Sequence, residues 1–206
     1  MDIPWHTELA KLWLESCRKE RAPHAVLLTG PVGVGKRAAA AWMAAQRLKR
    51  DAKAALPAHP VERFEHPDLH WLLTPEDKKS IGIEQIRALV GELSLTSYQG
   101  FGKVAVIEPA NDMTISAANS LLKTLEEPPG DALMILIADR IGKLPATIIS
   151  RCQRIDIAVP AETVALQWLD RLHPGAAWLD ALRSAGGAPL AAIDARPLLF
   201  AFSLCA

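Results

Sequence analysis

The chain has 206 residues, with 23 basic and 23 acidic side chains and three cysteines. That length supports one sizeable core and a small second unit, and the zero formal charge excludes a stand-alone nucleic-acid binder of the usual basic kind, so a partner would have to supply much of any DNA-facing positive surface. Cys17, Cys152 and Cys205 are far apart, which fits neither a disulfide framework nor a closed zinc site and makes a reducing cytoplasm the expected compartment.

The opening segment "MDIPWHTELAKLW" carries an early acid and no long apolar run, so it does not read as a secretory signal. No stretch reaches the about 18 apolar residues of a membrane span, and no membrane partner is expected. "HAVLLTG" is a short apolar run closed by a glycine, followed by "KRAAAAWMAAQRLKR", rich in strong helix formers. From Asp51 to Pro67 three prolines and the lack of a sustained period predict a surface connection.

"DLHWLL" reads as a second strand. In "IGIEQIRALVGELSL" the residues Ile83, Ile86, Leu89, Val90 and Leu93 recur at helical spacing and leave Glu84, Arg87 and Glu92 outward. "KVAVIEP" is a third strand, "ISAANSLLKTLEE" a helix stopped by Pro128 and Pro129, "LMILIA" a fourth strand and "RIDIAV" a fifth. Strands that alternate with helices and are nearly continuous in apolar residues predict an α/β fold with a mostly parallel sheet covered on both faces. After Pro160 only helical segments follow, "AETVALQWLDRL", "GAAWLDALRSA" and "APLAAIDA", separated by Gly175 and by Gly186 and Gly187. The expected division is 1–159 for the α/β domain and 160–206 for a small helical lid.

Gly30, Gly33, Gly35 and Lys36 stand in "GPVGVGK", the G-x-x-x-x-G-K pattern of a phosphate-binding loop (P-loop), between a strand and a helix. Backbone N–H groups at the helix start can cradle phosphate oxygens, and Lys36 can reach the terminal phosphates. The next residue is Arg37, where serine or threonine would offer magnesium an oxygen; a guanidinium has five donors and no acceptor. The third strand ends in Glu108 followed by Pro109, so one metal-handling carboxylate is altered and the water-orienting one is missing. Two readings stay open: a loop impaired for hydrolysis, or a solvated Arg37 beside a Glu108 that still holds magnesium through water.

Two further stretches, "ANSLLKTLEEPP" (118–129) and "LPATIISRCQRIDI" (144–157), closely resemble segments of the AAA+ clamp-loader subunits of bacterial DNA polymerase III. With the loop, "HPDLHWL" and "IGIEQIRAL", the likeness covers most of residues 20 to 195 and is strongest to the delta-prime branch. The resemblance implies a five-stranded sheet in the order 5-1-4-3-2 with a three-helix lid. It also implies work beside gamma/tau and delta subunits in placing the sliding clamp on primer-template DNA. In the ATP-hydrolysing gamma/tau relatives a hydroxyl follows the loop lysine, Asp-Glu closes the third strand and a lid helix carries an arginine; here those positions read Arg37, Glu108-Pro109 and Pro189.

The triad Ser150-Arg151-Cys152 is intact, and the family places this arginine in the ATP site of the neighbouring subunit. A planar, permanently charged fork suits charge developing on a γ-phosphate. The alternative for Arg151 is a structural ion pair. Cys152 reads as a small apolar residue rather than a nucleophile, and Glu126 and Glu127 read as surface acids without a catalytic part. The tryptophans are scattered away from basic residues and read as core rather than base-stacking platforms.

The expected role is that of a delta-prime subunit that does not hydrolyse ATP and donates an arginine finger. An ATP-hydrolysing subunit of gamma/tau type and a nucleotide-free scaffold are the alternatives. No cofactor is required by this reading, ATP or ADP binding stays open, and no metal is expected: His59 and His66 cannot close a zinc site without cysteines in 50–67. Polymerase chemistry would belong to the holoenzyme, since no paired-aspartate palm is apparent. The family also has a helical collar domain, for which the sequence as given has no counterpart.

Overall fold

A computed structural model describes residues 1–19, 21–48, 54–61 and 64–195. Five strands form one sheet: β1 (Ala25–Thr29), β2 (Leu69–Leu73), β3 (Val104–Glu108), β4 (Leu133–Ala138) and β5 (Gln153–Asp156). All neighbours pair in parallel, in the order β2-β3-β4-β1-β5, which is the order implied by the resemblance. The central strands are buried along nearly their whole length, while the edge strands β2 and β5 are only partly covered. This explains why the apolar runs are unbroken only in the middle of the sheet.

Side chains alternate across each strand and so feed two separate cores. Val26 and Leu28 of β1, Val106 of β3 and Ile135 of β4 pack on one face with α1 (Thr7–Arg18) and α2 (Lys36–Arg47). Leu27, Ile107 and Leu136 pack on the other with α3 (Ile83–Leu93), α4 (Ile115–Glu126) and the short α5 (Ala146–Ile149). Helix α4 begins where Thr114 Oγ1 accepts from the Ala117 N–H, an N-cap, and it ends one residue before the Pro128-Pro129 pair.

Helix α1 is not among the elements expected above, although its Leu9, Ala10 and Trp13 recur at helical spacing. It is held by Leu9, Ala10 and Trp13, which are buried against the sheet's first face. After β5 the regular elements among the described residues are all helical: α6 (Glu162–Leu172), α7 (Leu179–Ser184) and residues 189–195. Their apolar residues Trp168, Leu169, Trp178, Leu182 and Ala192 form a third core with Ile3 and Ala38. Residues 196–206, the remainder of the expected lid with Cys205, lie outside the described residues. Among the described residues no helix is long and apolar enough to cross a membrane.

Candidate functional site

β1 leads into the loop at Thr29 and α2 begins at Lys36, so the glycine-rich segment sits at the carboxyl end of a central strand, where open α/β sheets bind their ligands. Gly30, Gly33 and Gly35 all have positive φ. Gly33 has no room for a side chain either, since a Cβ there would lie 2.4 Å from that of Ala191 in the last described helix. The same helix donates the Leu190 N–H to the Gly33 carbonyl at 3.0 Å.

Lys36 is buried. Its ammonium donates to the carbonyls of Gly30 (2.7 Å) and Pro31 (2.6 Å) and pairs with Asp139 at 2.7 Å. Asp139 directly follows β4 and was not singled out in the sequence; its signal was its position just past the carboxyl end of a buried strand. Its backbone N–H is held by Asn111 Oδ1 at 3.1 Å.

Arg37 does not point freely into solvent. Its Nε–H reaches both carboxylate oxygens of Glu108 at 2.9 Å, and the indole Nε1–H of Trp71 donates to Oε2 at 3.0 Å. The Arg37 side chain is 46 % exposed and that of Glu108 only 14 %, so the carboxylate is the enclosed member. A magnesium ion would need oxygen ligands at this point. Position 37 supplies only donors, and both oxygens of Glu108 already accept from Arg37, with the Trp71 indole also on Oε2. The metal that the fold family associates with this position does not fit the residues present.

The trio also brackets β2, β3 and α2. Trp71→Phe, which keeps an aromatic ring but removes the donor and part of the indole's bulk, is expected to cost about 1.5–3 kcal/mol of stability, the scale of one hydrogen bond to a charged group. Urea unfolding of the variant beside the parent checks this; equal midpoints would show that the indole bond carries nothing.

The cleft beside the loop has a volume of about 780 Å³ and is lined by Lys36, Arg37, Glu108, Asp139 and Asp194 among others. Two cations thus face three carboxylates, and the cleft lacks the excess of positive charge that a polyphosphate would favour. Pro189 begins the helical residues 189–195 and places no cation there.

A second set of contacts, with no signal in the sequence, ties the N-terminal segment to the loop. The Val34 carbonyl accepts from Trp5 Nε1 (2.8 Å) and from His6 Nε2 (3.0 Å). Trp168 of α6 donates to the Asp2 carbonyl at 2.8 Å and meets Trp5 edge to face, with centroids 5.2 Å apart. His6 is fully buried, and burial, opposed by its bond to Val34, lowers its pKa to about 4. Loop, N-terminal segment and lid helices therefore form one joint.

Arg151 is not among the residues lining the cleft. It follows α5, just before the edge strand β5. Its Nε–H donates to Glu126 Oε1 at 2.6 Å, a second guanidinium nitrogen pairs with the same oxygen, and Nη1 donates to the Thr147 carbonyl at 3.0 Å and more weakly to Ser150 Oγ at 3.4 Å. Glu126, which the sequence marks only as a surface acid, is thus a partner of the finger candidate. Cys152 is half-buried against the second core, and burial pushes its thiol up to about 11, which leaves it protonated and a poor nucleophile. Among the described residues no three His, Cys, Asp or Glu side chains cluster as a metal site.

Residues 5–161 match the protein family described as "DNA polymerase III, delta subunit". The chain is 38% identical over 199 residues to the DNA polymerase III subunit delta' of Pseudomonas aeruginosa, covering 92% of this chain and 60% of that one. It is 40% identical over 167 residues to the subunit of the same name in Bacillus subtilis, covering 79% and 49%. The chain thus spans about half to three-fifths of the length of these relatives. Among solved structures, a gamma subunit-related protein of Thermotoga maritima superposes with a TM-score of 0.59 at 24% identity, over 86% of this chain and 57% of that one, a likeness of fold.

Proposed function

The chain belongs to the delta-prime family of DNA polymerase III clamp-loader subunits, and from that membership we propose that it hydrolyses no ATP itself and lends Arg151 to a neighbouring gamma/tau subunit. The observation that carries the first half is the bond of Arg37 to both oxygens of Glu108. Hydrolysis at a loop of this kind calls for a hydroxyl on the metal and a carboxylate free to share it. Here the hydroxyl has become a cation, and that cation has taken the carboxylate. Pro109 offers no second acid, and Lys36 is already neutralised by Asp139.

The second half concerns a different surface. Arg151 stands away from its own cleft, and its fork would stabilise charge developing on the γ-phosphate of an adjacent subunit's nucleotide. In this reading gamma/tau and delta subunits are the immediate partners, the sliding clamp and primer-template DNA are engaged through the complex, and the compartment is the cytoplasm. Residues 1–159 form the AAA+ domain and 160–206 its lid. The zero formal charge fits a subunit whose DNA contacts are shared with others.

Phosphate release by the purified chain with ATP and magnesium tests the first half. We expect none above the buffer rate and no change on Lys36→Ala. Turnover that Lys36→Ala abolishes would make this a working ATPase of gamma/tau type and overturn the reading.

A further inference from the structure

We infer that Glu126 is a positioning residue for Arg151: it holds the guanidinium extended toward the triphosphate of the neighbouring subunit, an inference that rests on the finger role proposed for Arg151. The two residues are 25 positions apart and start from separately anchored backbone. Glu126 is the last residue of α4, whose Leu121 and Leu125 are buried in the second core, and Arg151 follows α5, fixed there by Ile148. The carboxylate takes the Nε edge of the guanidinium, while the Thr147 carbonyl and the Ser150 hydroxyl take Nη1. Glu126 also pairs with Nη2, so of the five N–H donors of a guanidinium one on Nη2 stays outside these bonds and can meet an incoming anion, while the bonds favour one orientation of the long side chain.

Two features separate this from an ordinary surface pair. The carboxylates of Glu126 and Glu127 stand at the C-terminal end of α4, where the helix dipole favours a cation and an acid is unfavourable. Glu126 meets that cost with a charge partner from another element. The pair is also too exposed, at 33% and 49% of the two side chains, to contribute much to stability. Orientation of the fork is what remains for it to do. Glu126 touches no phosphate; it acts only through Arg151.

The test uses a clamp loader reconstituted with this subunit and its gamma/tau and delta partners, and measures kcat and KM for ATP. Glu126→Ala is expected to lower kcat about tenfold with KM for ATP unchanged, as for a catalytic group left loosely placed, and Glu126→Asp should restore part of the loss. In an Arg151→Ala background the Glu126→Ala change should add nothing, because its only route of action is gone. Unchanged or faster turnover by Glu126→Ala, or an equal loss in both backgrounds, overturns the inference while leaving the finger in place. If Arg151→Ala itself turns over at the parent rate, the finger reading falls first, and this inference with it.

Discussion

If Arg151 acts in trans as proposed, Arg151→Ala in the reconstituted clamp loader is expected to slow hydrolysis at the neighbouring ATP site by about 1000-fold, the lower end of what an arginine supplied in trans contributes in GTPases. The size follows from where the charge develops. A guanidinium held beside the γ-phosphate in a site shielded from water stabilises the transition state far more than the same charge in bulk solvent. Arg151→Lys should recover only part of the rate, since an ammonium keeps the charge but not the planar fork. Folding should be nearly unaffected, because the pair with Glu126 is exposed and such pairs contribute at most about 1 kcal/mol. Pre-steady-state phosphate release with wild-type and variant subunits reads the effect. A parent-like rate from a properly assembled Arg151→Ala loader would show that Arg151 serves only its ion pair.

Acid is expected to destabilise the fold by about 3 kcal/mol between pH 7 and pH 4 through His6 alone, from a pKa lowered from 6.5 to about 4. The folded chain keeps this imidazole neutral, with Nε2–H on the Val34 carbonyl and Nδ1 buried without a partner. The unfolded chain takes up a proton there below about pH 6.5, and the folded one refuses it until pH falls to about 4. Stability therefore declines as pH drops through that window and levels off, for this group, below it. His59 and His70, also lowered by burial, add losses of the same sign. Asp68 and Asp156, lowered from 3.8, add theirs at lower pH. His6→Gln keeps an N–H donor without a titrating ring and should flatten the curve between pH 6.5 and 4. Urea unfolding of both proteins at pH 7, 5 and 4 measures it. Parallel curves would assign the acid sensitivity elsewhere.

Arg151 and His6 differ in how plainly the sequence marks them. Arg151 is legible in "IISRC", because a short motif carries its own neighbours along the chain. The buried strands, the amphipathic α3 and α4 and the phosphate-binding loop are legible for the same reason: hydrophobic period, turn residues and helix stops are local properties. His6 is not legible. One histidine in "MDIPWHTELAKLW" has no periodic or motif signature, and its environment is made by Val34, Gly35 and Ile3.

At the altered loop, sequence established that position 37 is a cation and position 109 a proline, and hence that the metal-binding hydroxyl and the water-orienting acid are missing. Where the cation would go was open, to solvent or elsewhere. The structure sends Arg37 to Glu108, 71 residues away, with Trp71 from the edge strand on the same carboxylate. It sends Lys36 to Asp139, and Arg151 to Glu126. Each of these partners arrives by strand order and helix packing, which bring distant segments together, the first two pairs at the carboxyl end of the sheet and the third at its amino end. Residue type and local pattern determine which groups a chain can offer; only the folded arrangement decides which charges meet, because Coulomb attraction and hydrogen bonding depend on distances in space that no spacing along the chain specifies.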